Sequence, residues 1–169
     1  MEPNRISELG GWFEQEADAL VLYARQWLDP HAAEDVVQDA FIDLMNCRRQ
    51  PDHPKPWLYQ AVRFRALKSL RTGQRRSRRE ALAAGEAEPC LEGTAAQALD
   101  AREAGLALAG LDPGEREVIT LRIWGGLKLE EIAAITETSV ATVFRRYRDG
   151  LAELRNLLEP PTSCPTCPH

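Results

Sequence analysis

The chain is 169 residues long, 44% hydrophobic, with a formal net charge of -5, enough for one mid-sized domain or two small ones. No apolar run approaches the roughly 18 residues of a membrane span and no apolar stretch follows a basic N-terminus, so neither a span nor a secretory signal is read and a cytoplasmic protein is expected. The four scattered cysteines (Cys47, Cys90, Cys164, Cys167) form no disulfide framework, and the three histidines (His31, His53, His169) sit in no nucleophile-base constellation, which argues against an enzyme.

Charge is sorted along the chain. Residues 1 to 52 hold eleven acids and four bases, whereas His53 to Arg79 contains no Asp or Glu and nine bases. A negative total argues against nucleic acid, but this segregation reverses the inference and points to two partners, one basic and one polyanionic.

Glu8 to Leu28 places Trp12, Phe13, Ala17, Leu20, Val21, Ala24, Trp27 and Leu28 on one face, the pattern of an amphipathic helix. Asp29 and Pro30 end it and open the next helix as N-cap and first helical residue. In that second helix Ala33, Val36, Val37, Ala40, Phe41, Leu44 and Met45 form the apolar stripe, while Glu34, Asp35, Gln38, Asp39 and Asp43 fall on or beside the opposite face. Acids in a first turn suit the helix dipole, so Glu34 and Asp35 have a purely structural reading. Asp39 and Asp43 repel each other at i,i+4 and are better explained by a basic partner, the alternative being a solvated face.

Prolines 51, 54 and 56 mark a loop, and a third helix is expected from about Lys55 to Arg71, with Trp57, Leu58, Ala61, Val62, Leu67 and Leu70 available for burial. Along it basic residues interleave with aromatics: Tyr59, Arg63, Phe64, Arg65, Lys68 and Arg71. Cations bind phosphate and rings stack on unpaired bases, so this composition suits single-stranded or melted DNA. Trp57 reads as core and Phe64 as exposed.

From Thr72 to about Gly93 no period survives and a flexible linker is expected, its start carrying Arg75 and Arg76, which suit a phosphate backbone. Thr94 to Leu111 resumes a helical pattern. Asp112, Pro113 and Glu115 are an N-cap, an N1 proline and a capping acid for a helix through Val118, Ile119, Leu121 and Ile123, which Gly125-Gly126 stops.

The most informative stretch is Gly126 to Leu158. Leu129, Ile132 and Ala133, then Val140, Val143, Phe144, Tyr147, Leu151, Leu154 and Leu158, have the spacing of two amphipathic helices, and the three polar residues Thr136, Glu137 and Thr138 suffice for the turn of a helix-turn-helix. Ser139 is a natural N-cap. Opposite the second helix's apolar stripe lie Ala141, Thr142, Arg145, Arg146 and Arg148, side chains suited to base edges and phosphates. The plainer reading is a helical hairpin with a solvated basic face. Glu137 stands where such a turn usually wants glycine, a left-handed position costing about 1 kcal/mol. In the proline-rich tail, Cys164, Cys167 and His169 make half of a zinc site with no second pair nearby, against a disordered segment.

The expected architecture is all-α, two small helical domains joined by a flexible linker: residues 1–75, a linker at 76–93, a four-helix unit at 94–159 and a tail at 160–169. In order and spacing these pieces resemble a bacterial RNA polymerase sigma factor of the extracytoplasmic-function (ECF) group. AAEDVVQDAF resembles the segment that binds the polymerase clamp helices, PWLYQAVRFRALKSLR the segment for the minus-ten element, and the stretch from Leu111 to Arg155 the minus-thirty-five-binding domain.

The resemblance implies a non-catalytic initiation factor without cofactor. Its partners would be core RNA polymerase (clamp helices of the largest subunit, flap of the second largest), promoter DNA and, as in many of the group, an anti-sigma factor. Glu34, Asp35, Gln38, Asp39, Phe41 and Asp43 would lie at or beneath the polymerase contact. Tyr59, Arg63, Phe64, Arg65, Lys68, Arg71, Arg75 and Arg76 would serve the minus-ten element, and Ser139, Thr142, Arg145, Arg146 and Arg148 the upstream duplex. The group usually has Asn where Phe64 stands, Asp where Lys68 stands, and Ser or Thr where Lys128 stands, so the minus-ten preference does not carry over. A stand-alone helix-turn-helix regulator is the competing reading; it leaves the Arg63 to Arg79 cluster unexplained.

Overall fold

The computed structural model describes residues 3–80 and 107–158, with side chains from 10 to 72 and from 107 to 158. Six helices follow in order: α1 (Pro3–Ala24), α2 (Pro30–Asn46), α3 (Pro54–Glu80), α4 (Pro113–Ile123), α5 (Leu129–Thr136) and α6 (Val140–Leu158). Residues 107–110 form a further helical turn before α4, and no strand occurs among the described residues.

Local chemistry sets most of these boundaries. The Asp29 carboxylate accepts a hydrogen bond from the Ala32 amide at 3.0 Å, and Asp112 does the same for the Gly114 amide at 2.9 Å. Each satisfies a donor the first helical turn would otherwise leave orphaned, a contribution of about 1 kcal/mol. At α5, where Lys128 has no capping side chain, Glu131 reaches back to accept from the Lys128 amide at 2.7 Å. Glu137 adopts the left-handed conformation expected of it, φ 56° and ψ 39°, and the Thr138 amide closes the helix end onto the Ala133 carbonyl at 3.0 Å. Ser139 Oγ then accepts from the Thr142 amide at 3.1 Å to start α6.

Three expectations need correction. Helix α1 ends at Ala24 rather than Leu28; the turn that follows sets the Trp27 ring edge-on to Tyr23, centroids 5.1 Å apart. Helix α3 continues to Glu80, past residue 76, where the linker was expected to begin. Loss of an apolar period does not end a helix: between Thr72 and Glu80 six of nine residues are Arg, Gln or Glu, good helix formers that outweigh Gly73 and Ser77, and no proline interrupts them. On α6, Val140, Phe144 and Leu158 leave the predicted buried stripe, at 41%, 55% and 55% exposure, and only Val143 and Gly150 are buried on that helix.

Helices α1, α2 and α3 pack as one unit and α4, α5 and α6 as another, yet the two share a core. Leu20, Tyr23 and Val62 belong to the same apolar cluster as Val118, Leu121, Leu127 and Ile132. A smaller cluster of Leu108, Leu111 and Ile119 sits beneath Tyr147 and Leu154. At the crossing of α4 and α6 the backbones nearly touch: a Cβ on Gly150 would stand 2.7 Å from Ile119 Cδ1 and 3.1 Å from Glu115 Cβ.

Candidate nucleic-acid and protein interfaces

The acidic residues of α2 divide into two sets. Glu34, Asp35 and Gln38 are exposed, and among the described residues neither Glu34 nor Asp35 has an ion-pair partner. Asp39 and Asp43 are bridged by the Arg65 guanidinium of α3, which reaches Asp39 Oδ2 at 3.2 Å and also pairs with Asp43. The basic partner inferred for these two carboxylates thus exists within the chain, and Arg65, expected on the DNA side, is turned toward α2. Phe41 is only 6% exposed, beneath this surface, with the Phe13 ring edge-on at 5.0 Å.

Helix α3 distributes its minus-ten candidates unevenly. Phe64 stands out at 68% exposure, with Lys68 and Arg71 also exposed; these three form the open cationic and aromatic face. Tyr59 is a correction: it is fully buried, its ring 5.5 Å from that of Tyr23 and so near Gly125 that a Cβ there would stand 3.2 Å from Tyr59 Cζ. At helical spacing Tyr59 falls on the same side as Val62 and Ala66, both at 0% exposure, so core packing outweighs the interleaving that suggested a surface ring. Burial, with the Glu16 carboxylate second, pushes its phenol up. Arg75 and Arg76 lie on the described helix, their side chains outside the described set.

Arg63 is held at the seam between the two units. Its Nε donates to Glu117 Oε1 of α4 at 2.8 Å, and the same oxygen accepts from Tyr23 Oη at 2.8 Å. Burial opposes the Arg63 charge, but the Glu117 carboxylate outweighs it and raises the guanidinium pKa. The Tyr23 phenol is raised well above its ordinary value, first by burial and then by Glu117. Sequence reasoning missed Glu117 and Tyr23. The available signal was an acid in the apolar run EVITL of α4, where a buried carboxylate demands a partner.

In the recognition helix Arg145 is exposed, and Thr142 Oγ1 lies 2.9 Å from Ser139 Oγ. Arg146 folds back, its guanidinium so close over Gly114 that a Cβ there would be 2.9 Å from Cζ. Arg148 pairs with its neighbour Asp149, Nη2 to Oδ1 at 2.7 Å, in an exposed contact that phosphate can replace. Phe144, passed over as core, joins Ala141 and Arg145 on the open surface of α6.

No cluster of three or more His, Cys, Asp or Glu suited to a metal occurs among the described residues; Cys164, Cys167 and His169 lie outside them. Nor is any described helix long and apolar enough to cross a membrane.

Comparison with known proteins accounts for this division into two units. Residues 12–76 match the family Sigma-70 region 2, and residues 101–154 match Sigma-70, region 4. The chain is 32% identical to the RNA polymerase sigma factor CnrH of Cupriavidus metallidurans, over 83% of this chain and 81% of CnrH. It is 28% identical to the ECF RNA polymerase sigma factor SigK of Mycobacterium ulcerans, over 82% and 78%. Among solved structures it resembles CnrH in complex with the cytosolic domain of CnrY, at a TM-score of 0.61 and 27% identity over 89% and 86% of the two chains. The fold is also that of RpoE bound to the anti-sigma factor NepR from Bartonella quintana, at a TM-score of 0.68 and 23% identity over 89% and 96%. Both halves of the molecule, in their order and across most of its length, therefore say the same thing: this chain belongs to the ECF group of RNA polymerase sigma factors.

Proposed function

We propose that the chain divides its initiation task among three surfaces. The first unit, residues 1–75, binds core polymerase through Glu34, Asp35 and Gln38, with Asp39, Asp43 and the underlying Phe41 completing the surface. Its α3 face of Phe64, Lys68 and Arg71 receives the opening minus-ten strand, extended by Arg75 and Arg76 and joined by Arg63 and Arg65 when their partners release them. The second unit, residues 94–159, places α6 in the major groove at the minus-thirty-five element through Ser139, Thr142, Arg145, Arg146 and Arg148. Phe144 is added to this set, since an exposed ring beside Arg145 suits apolar contact with a thymine methyl. The protein works in the cytoplasm by binding and positioning, not by catalysis.

One observation carries the reading. A single chain whose total charge is negative presents exposed cationic side chains on two helices of different family regions, and keeps on a third carboxylates that have no ion-pair partner among the described residues. The competing reading, a self-sufficient regulator, needs only one of those surfaces. An anti-sigma partner is also proposed, on the model of the complexes of CnrH and RpoE. The groove between α1 and α2, about 360 Å³, joins the apolar Phe13, Ala17, Val21, Leu22 and Val37 to the polar Asp18, Arg25, Glu34 and Gln38, a mixed bed suited to an amphipathic segment.

The deciding experiment is run-off transcription with purified core polymerase on promoter fragments from the chain's own genome. Promoter-specific transcripts that require this protein are expected. Tight duplex binding by the free chain with no stimulated initiation would transfer the assignment to the regulator.

A further inference from the structure

The hydrogen bonds that Glu117 accepts are the polar link across the seam between the two promoter-binding units. Both donors, Tyr23 and Arg63, lie in the first unit and the acceptor lies in the second. Their side chains are withdrawn from water, Glu117 at 10% and Arg63 at 21% exposure. The Glu137 carboxylate, in the turn of the helix-turn-helix, adds to the negative field at Arg63. Tyr59 is buried in the same seam without a partner for its hydroxyl among the described residues, a cost that the closed arrangement bears and that hydration on separation relieves.

This geometry conflicts with simultaneous promoter binding. On the spacing of about two helical turns that the sigma-factor resemblance implies, the two elements are separated by roughly 70 Å of duplex, whereas here α3 packs directly on α5. The 13 residues from 81 to 93, expected from the sequence to be linker, reach roughly 43 Å at about 3.3 Å each, which together with the extents of the two units allows the separation.

We propose that Glu117 is an intramolecular latch: it clasps Tyr23 and Arg63, holds the second unit against α3, and withholds Arg63 from DNA until the two units part. The closed chain is self-restrained before any partner acts on it. Polymerase, by gripping each unit at its own site, shifts the balance toward the open form, because its contacts can be made in full only there. The inference rests on the assignment of α3 to DNA for its consequence, though not for its mechanics.

The test uses the full-length free protein. Small-angle X-ray scattering reads the mechanics, and fluorescence anisotropy with a labelled, random-sequence 20-nucleotide single strand reads access to α3. The wild type is expected near the compact value for its length, roughly 15 Å in radius of gyration plus the contribution of its termini. Glu117→Ala is expected to raise the radius by at least about a third and to bind the single strand about three- to tenfold more tightly, as an Arg released from its carboxylate becomes available to phosphate. Circular dichroism checks that helicity is retained. If Glu117→Ala does not fold, Glu117→Gln and Tyr23→Phe decide the matter, since each weakens the clasp without opening a cavity; both should expand the protein by less than Glu117→Ala would. A wild-type radius already in the separated range, or folded variants with unchanged radius, overturns the latch. Expansion with unchanged single-strand affinity upholds the latch and instead sinks the assignment of α3 to DNA.

Discussion

At the scale of single residues, the same side-chain type does different work depending on what faces it. Arg63, Arg65 and Lys68 lie within six positions of one another, yet Arg63 is clasped by Glu117, Arg65 bridges Asp39 and Asp43, and Lys68 points to solvent. Composition reported nine cations; only the fold sorts them. Phe144 permits a clean prediction. Being more than half exposed, it contributes little burial, so Phe144→Ala should leave the melting temperature within about 2 °C of wild type. Its loss should weaken holoenzyme binding to the minus-thirty-five duplex by about 1 kcal/mol, roughly fivefold, and relax preference at one A·T position. Competition assays with single-base variants of a bound promoter would read this, and an unchanged profile would return Phe144 to the role of bystander. Glu137 offers the opposite case: it holds φ 56° without being glycine, so Glu137→Gly should stabilise the second unit by up to about 1 kcal/mol in urea denaturation.

Among helices, the boundaries were legible wherever a capping group or a proline fixed them, and less so where packing decided. Asp29, Asp112 and Ser139 each bond the amide that the capping rules assign them, and the helix-turn-helix lies within a residue of its expected limits. The arginine-rich end of α3, expected to be linker, is helical, because a run without apolar residues has no period to display. Tyr59, expected at the surface, is buried, and Met45, expected in the stripe of α2, is 39% exposed, for a related reason: periodicity names a face, but which edge of it meets a neighbour depends on how helices cross. The α4–α6 crossing shows this strongly, since the contact turns on a side chain that is absent. Gly150→Val would drive two methyl groups toward Ile119 and Glu115, where even a Cβ stands at 2.7 Å and 3.1 Å. Overpacking of this kind costs about 1–3 kcal/mol, against a few tenths gained from better helix propensity. A fall in melting temperature of roughly 4–8 °C is therefore expected by calorimetry, with recognition-helix binding impaired in parallel. If Val is accommodated at no cost, the helices are not packed as closely as described.

For the whole molecule, what matters is that charge of each sign is gathered where it meets its complement, while the seam uses up the charges that would otherwise compete. The carboxylates of α2 are not equivalent under this view. Asp39 and Asp43 are committed to Arg65, so reversing them breaks an internal bridge and exposes the result to a folding explanation. Glu34 and Asp35 carry no such commitment among the described residues and lie beyond the first turn of α2, which holds no acid, so the helix dipole gains little from them. The double change Glu34→Lys/Asp35→Lys should thus cost the isolated protein no more than about 2 kcal/mol, leaving it folded. Against core polymerase the consequence is larger, because each new cation faces a basic partner and like charges brought together at an interface cost several kcal/mol. A rise in the dissociation constant of roughly thirtyfold or more is expected by anisotropy titration of labelled protein with core enzyme in about 0.1 M salt. The defect should shrink as salt is raised, since the repulsion is screened over about 10 Å at that ionic strength. Because the change leaves α6 untouched, duplex binding by the free chain should be unaltered or slightly improved. A folded double variant that still binds core polymerase with wild-type affinity would remove α2 from the polymerase contact, and with it the reason for an acidic helix in a protein that binds DNA.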